Sequence, residues 1–449
     1  MEKTITASVS PAAAELAGEA IQPRRTDKQI WGIYIALCII SIIELYSASS
    51  HEVNASNVLG PVIRHVAFLL VGLMFMIYLQ NQHYRKFLRW SYIFAGFSVV
   101  SMLYTLKFGE NINGANRSFS VGGLFALQPA EMIKLSAALM VAAILSKSQL
   151  ADKEDVSAKG FRKATVWVLI CGALLFFQGL TNTLLVMGIS FSMMIIGGVG
   201  WKKLGLVSCI FILAGILGIG AKVGMALMHT TEKVEKAEMV VPGTEVVLGG
   251  YENEGDQGLG RIMTWLNRFK RHSSDKAKWD EKITGINAQE QYSYMAQAHG
   301  GAFGVMPGNS RETARLPLAS SDYIYAIVIE ELGLMGGLMV LVLYMWLLAR
   351  AARIANRCQT AYPALLVIGM AIFIAYQAIF HMCIVTGVFP VSGQPLPLIS
   401  RGGTSVIITS IALGIMLSVS RFAARKGKRA EIKDELSALP DEVNAENPT

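Results

Sequence analysis

Charge is what this sequence has least of. Asp, Glu, Lys and Arg make up 16% of its 449 residues, against 53% hydrophobic residues and a mean hydropathy of +0.44. A water-soluble domain covers itself with about 25% charged residues, so a single soluble globular domain is excluded. Cysteine is also scarce. Cys38, Cys171, Cys209, Cys358 and Cys383 are scattered, with no CxxC pair and no metal-ligand spacing, which excludes a zinc module and leaves nothing to staple an exported loop. The first 29 residues hold no apolar stretch of signal-peptide kind, so they read as a solvated tail, with insertion directed by the first apolar helix. No internal repeat relates the apolar segments, which argues against the repeat architecture of many transporters. The formal net charge is +8, yet the cations form short clusters between apolar runs rather than one basic domain, so nucleic acid is not an expected partner.

What is present in abundance is apolar sequence in spans. Residues 30–49 and 61–80 each match the ~20 residues a helix needs to cross ~30 Å of hydrocarbon. Further runs lie near 90–107, 131–147, 164–180, 183–200, 204–228, 323–349, 362–388 and 404–421. The expected fold is an all-α polytopic membrane protein of about ten transmembrane helices. Between alternate spans lie Arg85, Lys86 and Arg89, then Lys147 to Lys163, then Lys202 and Lys203, then Arg350, Arg353 and Arg357. The positive-inside rule puts these loops in the cytoplasm, together with both termini. The expected organisation is a cytoplasmic tail over 1–29, seven helices over 30–228, one large extracytoplasmic loop over 229–322 between the seventh and eighth helices, three helices over 323–421, and a cytoplasmic tail over 422–449. Within the large loop, Ile262, Trp265, Leu266 and Phe269 fall on one helical face beside Arg261, Arg268, Lys270 and Arg271. That pattern fits a basic amphipathic helix on lipid headgroups, and equally one packed on the rest of the loop.

Charged residues in or beside spans are costly unless paired or facing water, and three clusters stand out. The first runs from NGANRSF at 113–119 to QPAEMIKL at 128–135. Glu131 and Lys134 share a helix face, as a structural ion pair would, and Arg117 is placed to snorkel to headgroups. Together Arg117, Gln128, Glu131 and Lys134 also form an inventory suited to a pyrophosphate-linked lipid. The second is the Gly-rich segment 298–337, with Asn309 and Ser310 in its loop, Asp322 at the start of the eighth span, and Glu330 and Glu331 further along. Asp322 reads as a helix cap or as a general base at the outer membrane surface. The two glutamates cannot both share its direction, Glu330 being nearer its face, and a buried network is their bland reading. The third, IVTGVFPVSGQPLPLISRGGTS at 384–405, breaks apolar sequence with three prolines. It is expected to form a re-entrant or broken-helix loop, whose Ser400, Gly402 and Gly403 could present N–H groups to an anion. Glu44, His65 and His381 are isolated polar residues expected to hydrogen-bond between helices.

These motifs, with YSASS at 46–50 and EELG at 330–333, resemble the SEDS family (shape, elongation, division and sporulation) from the first span to the tenth. The resemblance implies a glycosyltransferase of the bacterial cytoplasmic membrane, facing outward, that polymerises lipid II into peptidoglycan. It implies partnership with a class B penicillin-binding protein and other divisome proteins, the septal branch being favoured over the rod-elongation branch. Asp322 falls on the family's essential aspartate and is expected to deprotonate the acceptor sugar hydroxyl. Arg117, Gln128, Glu131, Lys134, Asn309, Ser310, Glu330, Ser400, Gly402 and Gly403 are the expected substrate-binding set, with no certain cofactor beyond a candidate divalent cation, Mg or Mn. A lipid II flippase and a non-catalytic scaffold are the competing classes. One departure matters: QGLTNT at 178–183 stands where the family has P-D-x-G-T and lacks the acid. Arg401 stands where a tyrosine is frequent.

Overall fold

The computed structural model describes residues 26–52, 59–112, 115–121, 125–148, 156–176, 178–211, 283–284, 287–316 and 318–423, with isolated positions between 213 and 220. The tails and the amphipathic 261–272 segment lie outside the described residues. In chain order the elements are α1 (Lys28–Glu52), α2 (Leu59–Gln80), α3 (Arg85–Phe108), β1 (Glu110–Ile112), β2 (Ala115–Val121), β3 (Phe125–Leu127), α4 (Pro129–Ser148), α5 (Ala158–Phe176), α6 (Leu180–Ile196), α7 (Ala288–Gly300), α8 (Ile324–Arg357), α9 (Ala361–Val385) and α10 (Gly403–Phe422). Among the described residues, α1 to α4 and α8 to α10 are long and apolar enough to cross a membrane. Helix α6 is a shorter apolar helix, and α5 carries Lys159, Arg162 and Lys163 in its first turns. Residues 201–211, at the expected seventh span, are also helical. Nine of the ten expected spans thus coincide with helices, and the remaining one, the expected seventh, is helical as far as it is described.

A small sheet was not expected. Strands β1, β2 and β3 form an antiparallel meander, with Asn111 opposite Asn116 and Phe119 opposite Leu127. It caps the entry to α4, where Thr404 Oγ1 accepts from the Gln128 N–H at 3.2 Å and donates to the Ala126 carbonyl at 3.0 Å. Helix α4 is buried without a break from Pro129 to Leu145. A helix covered on every side belongs at the centre of a bundle, and α4 packs on α3, α5, α6 and α9. At the opposite end, Arg350 holds Asp27 through Nε at 2.8 Å and Nη2 at 2.6 Å, joining α8 to the start of α1.

Helix α8 decides where the second cluster goes. Its 34 residues would reach ~51 Å if straight, well beyond ~30 Å of hydrocarbon. It is not straight. Gly333 has φ +73° and ψ −178°, and Tyr325 Oη donates to the Gly337 carbonyl at 3.1 Å, although twelve residues of continuous helix would span ~18 Å. The arm 324–332 therefore lies back along the arm that begins at Leu334. The backbone groups freed at the break are taken up by the loop after α7. Val305 and Met306 donate to the Glu330 and Glu331 carbonyls at 3.0 and 2.9 Å, and Leu334 and Met335 donate to Gly301 and Ala302 at 2.9 and 3.2 Å. Only glycine fits this crossing: a Cβ at Gly333 would sit 2.4 Å from the Ala302 oxygen, at a φ other residues avoid.

The expectation that Asp322 marks the outer end of a simple eighth span is revised by this reversal. Asp322 lies eleven residues before Gly333 and Tyr344 eleven after it, and both levels are tied to the segment between α9 and α10. Tyr344 Oη donates to the Pro397 carbonyl at 2.5 Å, and Ser400 Oγ to the Ser321 carbonyl at 2.7 Å. That segment does interrupt the helices, and Leu396, Leu398, Ile399 and Ser400 are buried in it. Asp322 is therefore carried back from the Gly333 end and held against the segment between α9 and α10.

Candidate active site

Proline and glycine keep residues 386–402 irregular, and that irregularity lets the chain cross between α4, α6, α9 and the tip of the short α8 arm. Helix α4 brings Glu131 and Lys134, one turn apart and buried, to an ion pair of 2.6 Å. The other Glu131 oxygen accepts from Gln377 Nε2 on α9 at 2.9 Å. Lys134 also donates to Gln394 Oε1 at 3.4 Å. The Gln394 amide donates to Asn182 Oδ1 at 2.9 Å, and its carbonyl accepts from His381 Nδ1 at 2.6 Å. The preceding residue, Gly393, backs directly onto Asp322: a Cβ there would stand 2.7 Å from Asp322 Oδ2.

Asp322 lies one residue outside the helix, since Tyr323 occupies the N-cap position. Its backbone is pinned by the bond from its own N–H to Leu318, and its neighbours by Arg401 N donating to Ser320 and Ser400 Oγ to Ser321. Asp322 and Asn182 are partly exposed, whereas Glu131, Lys134, Gln377, His381 and Gln394 are buried. The arrangement is a partly exposed carboxylate against Gly393, next in sequence to the Gln394 that reaches a buried lysine–glutamate pair. Such a pair holds its geometry because separating its members would leave an uncompensated charge in the interior.

The expected site residues divide into two places. Asp322 and the Glu131–Lys134 pair are joined through two adjacent residues, Gly393 against Asp322 and Gln394 on Lys134, with Ser400 bonded to the neighbouring Ser321 carbonyl. Gly402 N–H is already bonded to the Ser400 carbonyl at 2.8 Å, and Gly403 packs on the Phe68 ring. Gln128 is exposed above, bonded through its backbone. Arg117 falls on β2, and its side chain lies outside what the structure describes. Ser310 and Glu330 form a different group at the far end of the short arm, eight residues or ~12 Å from Asp322. Glu330 accepts from Ser310 Oγ at 2.5 Å, Arg311 N at 2.9 Å and Glu312 N at 3.4 Å. Glu331 takes the Ser47 hydroxyl and Gly308 N–H. Asn309 is exposed and donates to the Val305 carbonyl. These contacts clamp the loop to the reversal at Gly333. His65 pairs with Ser41 at 2.7 Å, a helix-to-helix bond of the expected kind. Gln377, Gln394 and Asn182 were not singled out from sequence, although a Gln and a His four residues apart in the otherwise apolar α9 were a signal.

The family model for the cell cycle proteins FtsW, RodA and SpoVE matches residues 27–425. The chain belongs to that family. The FtsW/RodA/SpoVE relationship extends over most of its length. It is 28% identical over 420 residues to a probable peptidoglycan glycosyltransferase FtsW of Enterococcus hirae, covering 91% of this chain and 96% of that one. It is 27% identical over 400 residues to stage V sporulation protein E of Bacillus subtilis, covering 87% and 96%. Among solved structures it resembles RodA of Thermus thermophilus, with TM-score 0.57, 21% identity and coverage of 88% and 96%. It also resembles a chain of a peptidoglycan synthase complex, with TM-score 0.60, 22% identity and coverage of 88% and 97%. As an FtsW/RodA/SpoVE protein it is a multi-pass membrane protein. Its 178–183 segment, which lacks the expected acid, contributes Asn182 to the polar group instead.

Proposed function

We propose that this protein is a peptidoglycan glycosyltransferase of FtsW type, polymerising lipid II during cell division. The likeness to FtsW proteins supports the activity, and one observation carries the chemistry: the partly exposed Asp322 carboxylate, held against Gly393, whose neighbour Gln394 is bonded to the buried Glu131–Lys134 pair. In this reading Asp322 takes the proton from the acceptor sugar hydroxyl. The resulting oxygen attacks the donor anomeric carbon from the face opposite the leaving group, so configuration inverts. The bond from that carbon to the pyrophosphate oxygen breaks, and undecaprenyl pyrophosphate departs with the electron pair. Lys134, together with Arg117, offsets the charge that develops there.

A divalent cation, Mg or Mn, would enter as an ion carried on the substrate's pyrophosphate rather than as one held by a cluster of protein ligands. Among the described residues no three His, Cys, Asp or Glu side chains gather to hold one, and both Glu131 oxygens are engaged. Magnesium is commonly bound through one or two carboxylates plus substrate phosphates. The working unit we propose is the chain in the bacterial cytoplasmic membrane, termini inside and site facing outward, with a class B penicillin-binding protein and other divisome proteins.

The test is polymerisation of labelled lipid II by the purified protein, with and without a cognate class B penicillin-binding protein. Asp322→Asn is expected to lose ~10²–10⁴-fold in rate, the usual worth of a general base, at an equal amount of folded protein. Equal product from both proteins removes Asp322 from the mechanism. No product from wild type, even with the partner, returns the protein to the flippase and scaffold readings, and complementation of a rod-elongation mutant alone moves it to the other branch.

A further inference from the structure

The buried ammonium of Lys134 fixes the direction of two amides in succession. Lysine has donors and no acceptor, so Gln394 must turn Oε1 toward it, at 3.4 Å. That leaves the Gln394 amide nitrogen to donate, and Asn182 receives it on Oδ1 at 2.9 Å. Asn182 in turn has its NH₂ pointing away from Gln394. Amide orientation follows from the network in this way: reversing Gln394 would set an N–H against the cation, and reversing Asn182 would set its NH₂ against the NH₂ of Gln394. Gln394 cannot drift, because it is buried and its carbonyl takes His381 Nδ1 at 2.6 Å. Asn182 sits in the first turn of α6 and is only partly covered. Its NH₂ has no acceptor among the described residues. A donor aimed by a cation, at the open edge of a group that also holds Asp322, is placed to meet an anion.

We propose that Asn182 is a substrate-binding residue, its side-chain NH₂ donating to a pyrophosphate oxygen of the polyprenyl-linked donor, with Gln394 as the positioning residue that aims it. The proposal rests on the glycosyltransferase reading for the identity of the ligand, and on the geometry for the site itself.

The discriminating variant is Asn182→Asp, which keeps an oxygen for the Gln394 amide and the same shape but removes the NH₂. Asn182→Leu removes both. Lipid II polymerisation would be followed over a range of substrate concentrations, with thermal unfolding in detergent as the check on folding. Binding of undecaprenyl pyrophosphate, a probe that needs no turnover, would be measured alongside. The expected result is a loss of about 10- to 100-fold in kcat/KM for both variants, the range for a hydrogen bond to a charged group, with undecaprenyl pyrophosphate binding weakened to match. Asn182→Asp working like wild type while Asn182→Leu fails would make Asn182 a mere support for Gln394 and overturn the proposal, as would wild-type behaviour in both. If wild type binds the pyrophosphate but makes no polymer, and Asn182→Asp weakens that binding, the polymerase reading falls and the site stands.

Discussion

Alanine at position 393 tests the placement of Asp322 with the smallest available change. A Cβ on Gly393 would stand 2.7 Å from Asp322 Oδ2, 3.4 Å from its Cγ and 3.7 Å from Oδ1. Restoring ordinary contact, from about 3.4 Å outward, moves the nearer oxygen by roughly 0.7 Å, and displacements of about 1 Å in a reacting group cost up to ~10²-fold. Gly393 does not occupy the left-handed region, so alanine introduces no backbone strain there. The expected outcome for Gly393→Ala is a kcat for lipid II polymerisation lowered ~10- to 100-fold, or about 1.4–2.7 kcal/mol in the barrier, with the thermal unfolding midpoint near that of wild type. Gly96→Ala is the control: it lies inside α3 with nothing within 4 Å of a new Cβ and is expected to leave activity alone. Full activity in Gly393→Ala would refute the claim that the 392–400 segment sets the position of the base. Equal loss of stability and activity would show that the glycine serves packing alone.

Removing Lys134 leaves Glu131 buried without its cation, so Lys134→Met is expected to lower stability by about 3–5 kcal/mol. The double variant Glu131→Gln/Lys134→Met should regain much of that stability and none of the polymerisation, which unfolding curves and a lipid II assay would separate. Ser310→Ala withdraws the donor on one Glu330 oxygen while Arg311 N and Glu312 N still serve the other. Its expected cost is about 1–3 kcal/mol of stability with KM for lipid II unchanged; a raised KM would place Ser310 at the substrate.

How much of this was legible in sequence depended on whether the signal was local. The Glu131–Lys134 pair was readable because a spacing of three positions on one helix fixes the proximity of its two members, and the proline-broken segment 384–405 announced its irregularity in its composition. The reversal at Gly333 was not readable. Its backbone partners come from residues 301–306, and a run such as Ile324–Ile329 looks the same whether it faces lipid or is buried against its own helix. Length was the available clue, since 34 residues exceed what a span needs. Asn309, Ser310 and Glu330 entered the expected substrate-binding set through the resemblance, and the distance the short arm puts between Glu330 and Asp322 is not visible in a motif. The sheet escaped because strands of three to seven residues carry little periodic signal.

The reversal of α8 also bears on when the protein becomes competent during synthesis. Helices α1 to α6 can enter the membrane one after another, each satisfying its own backbone. The short arm 324–332 has no such independence. Its tip rests on Ser400, Arg401 and Gly393, all made later than Asp322 itself. Until the ribosome has passed the 393–401 segment, the aspartate has no floor, and Lys134 no Gln394. A chain cut short before that point would hold α1 to α9 and the Glu131–Lys134 pair but not the segment that places Asp322 and Gln394, so the site is completed only late in synthesis.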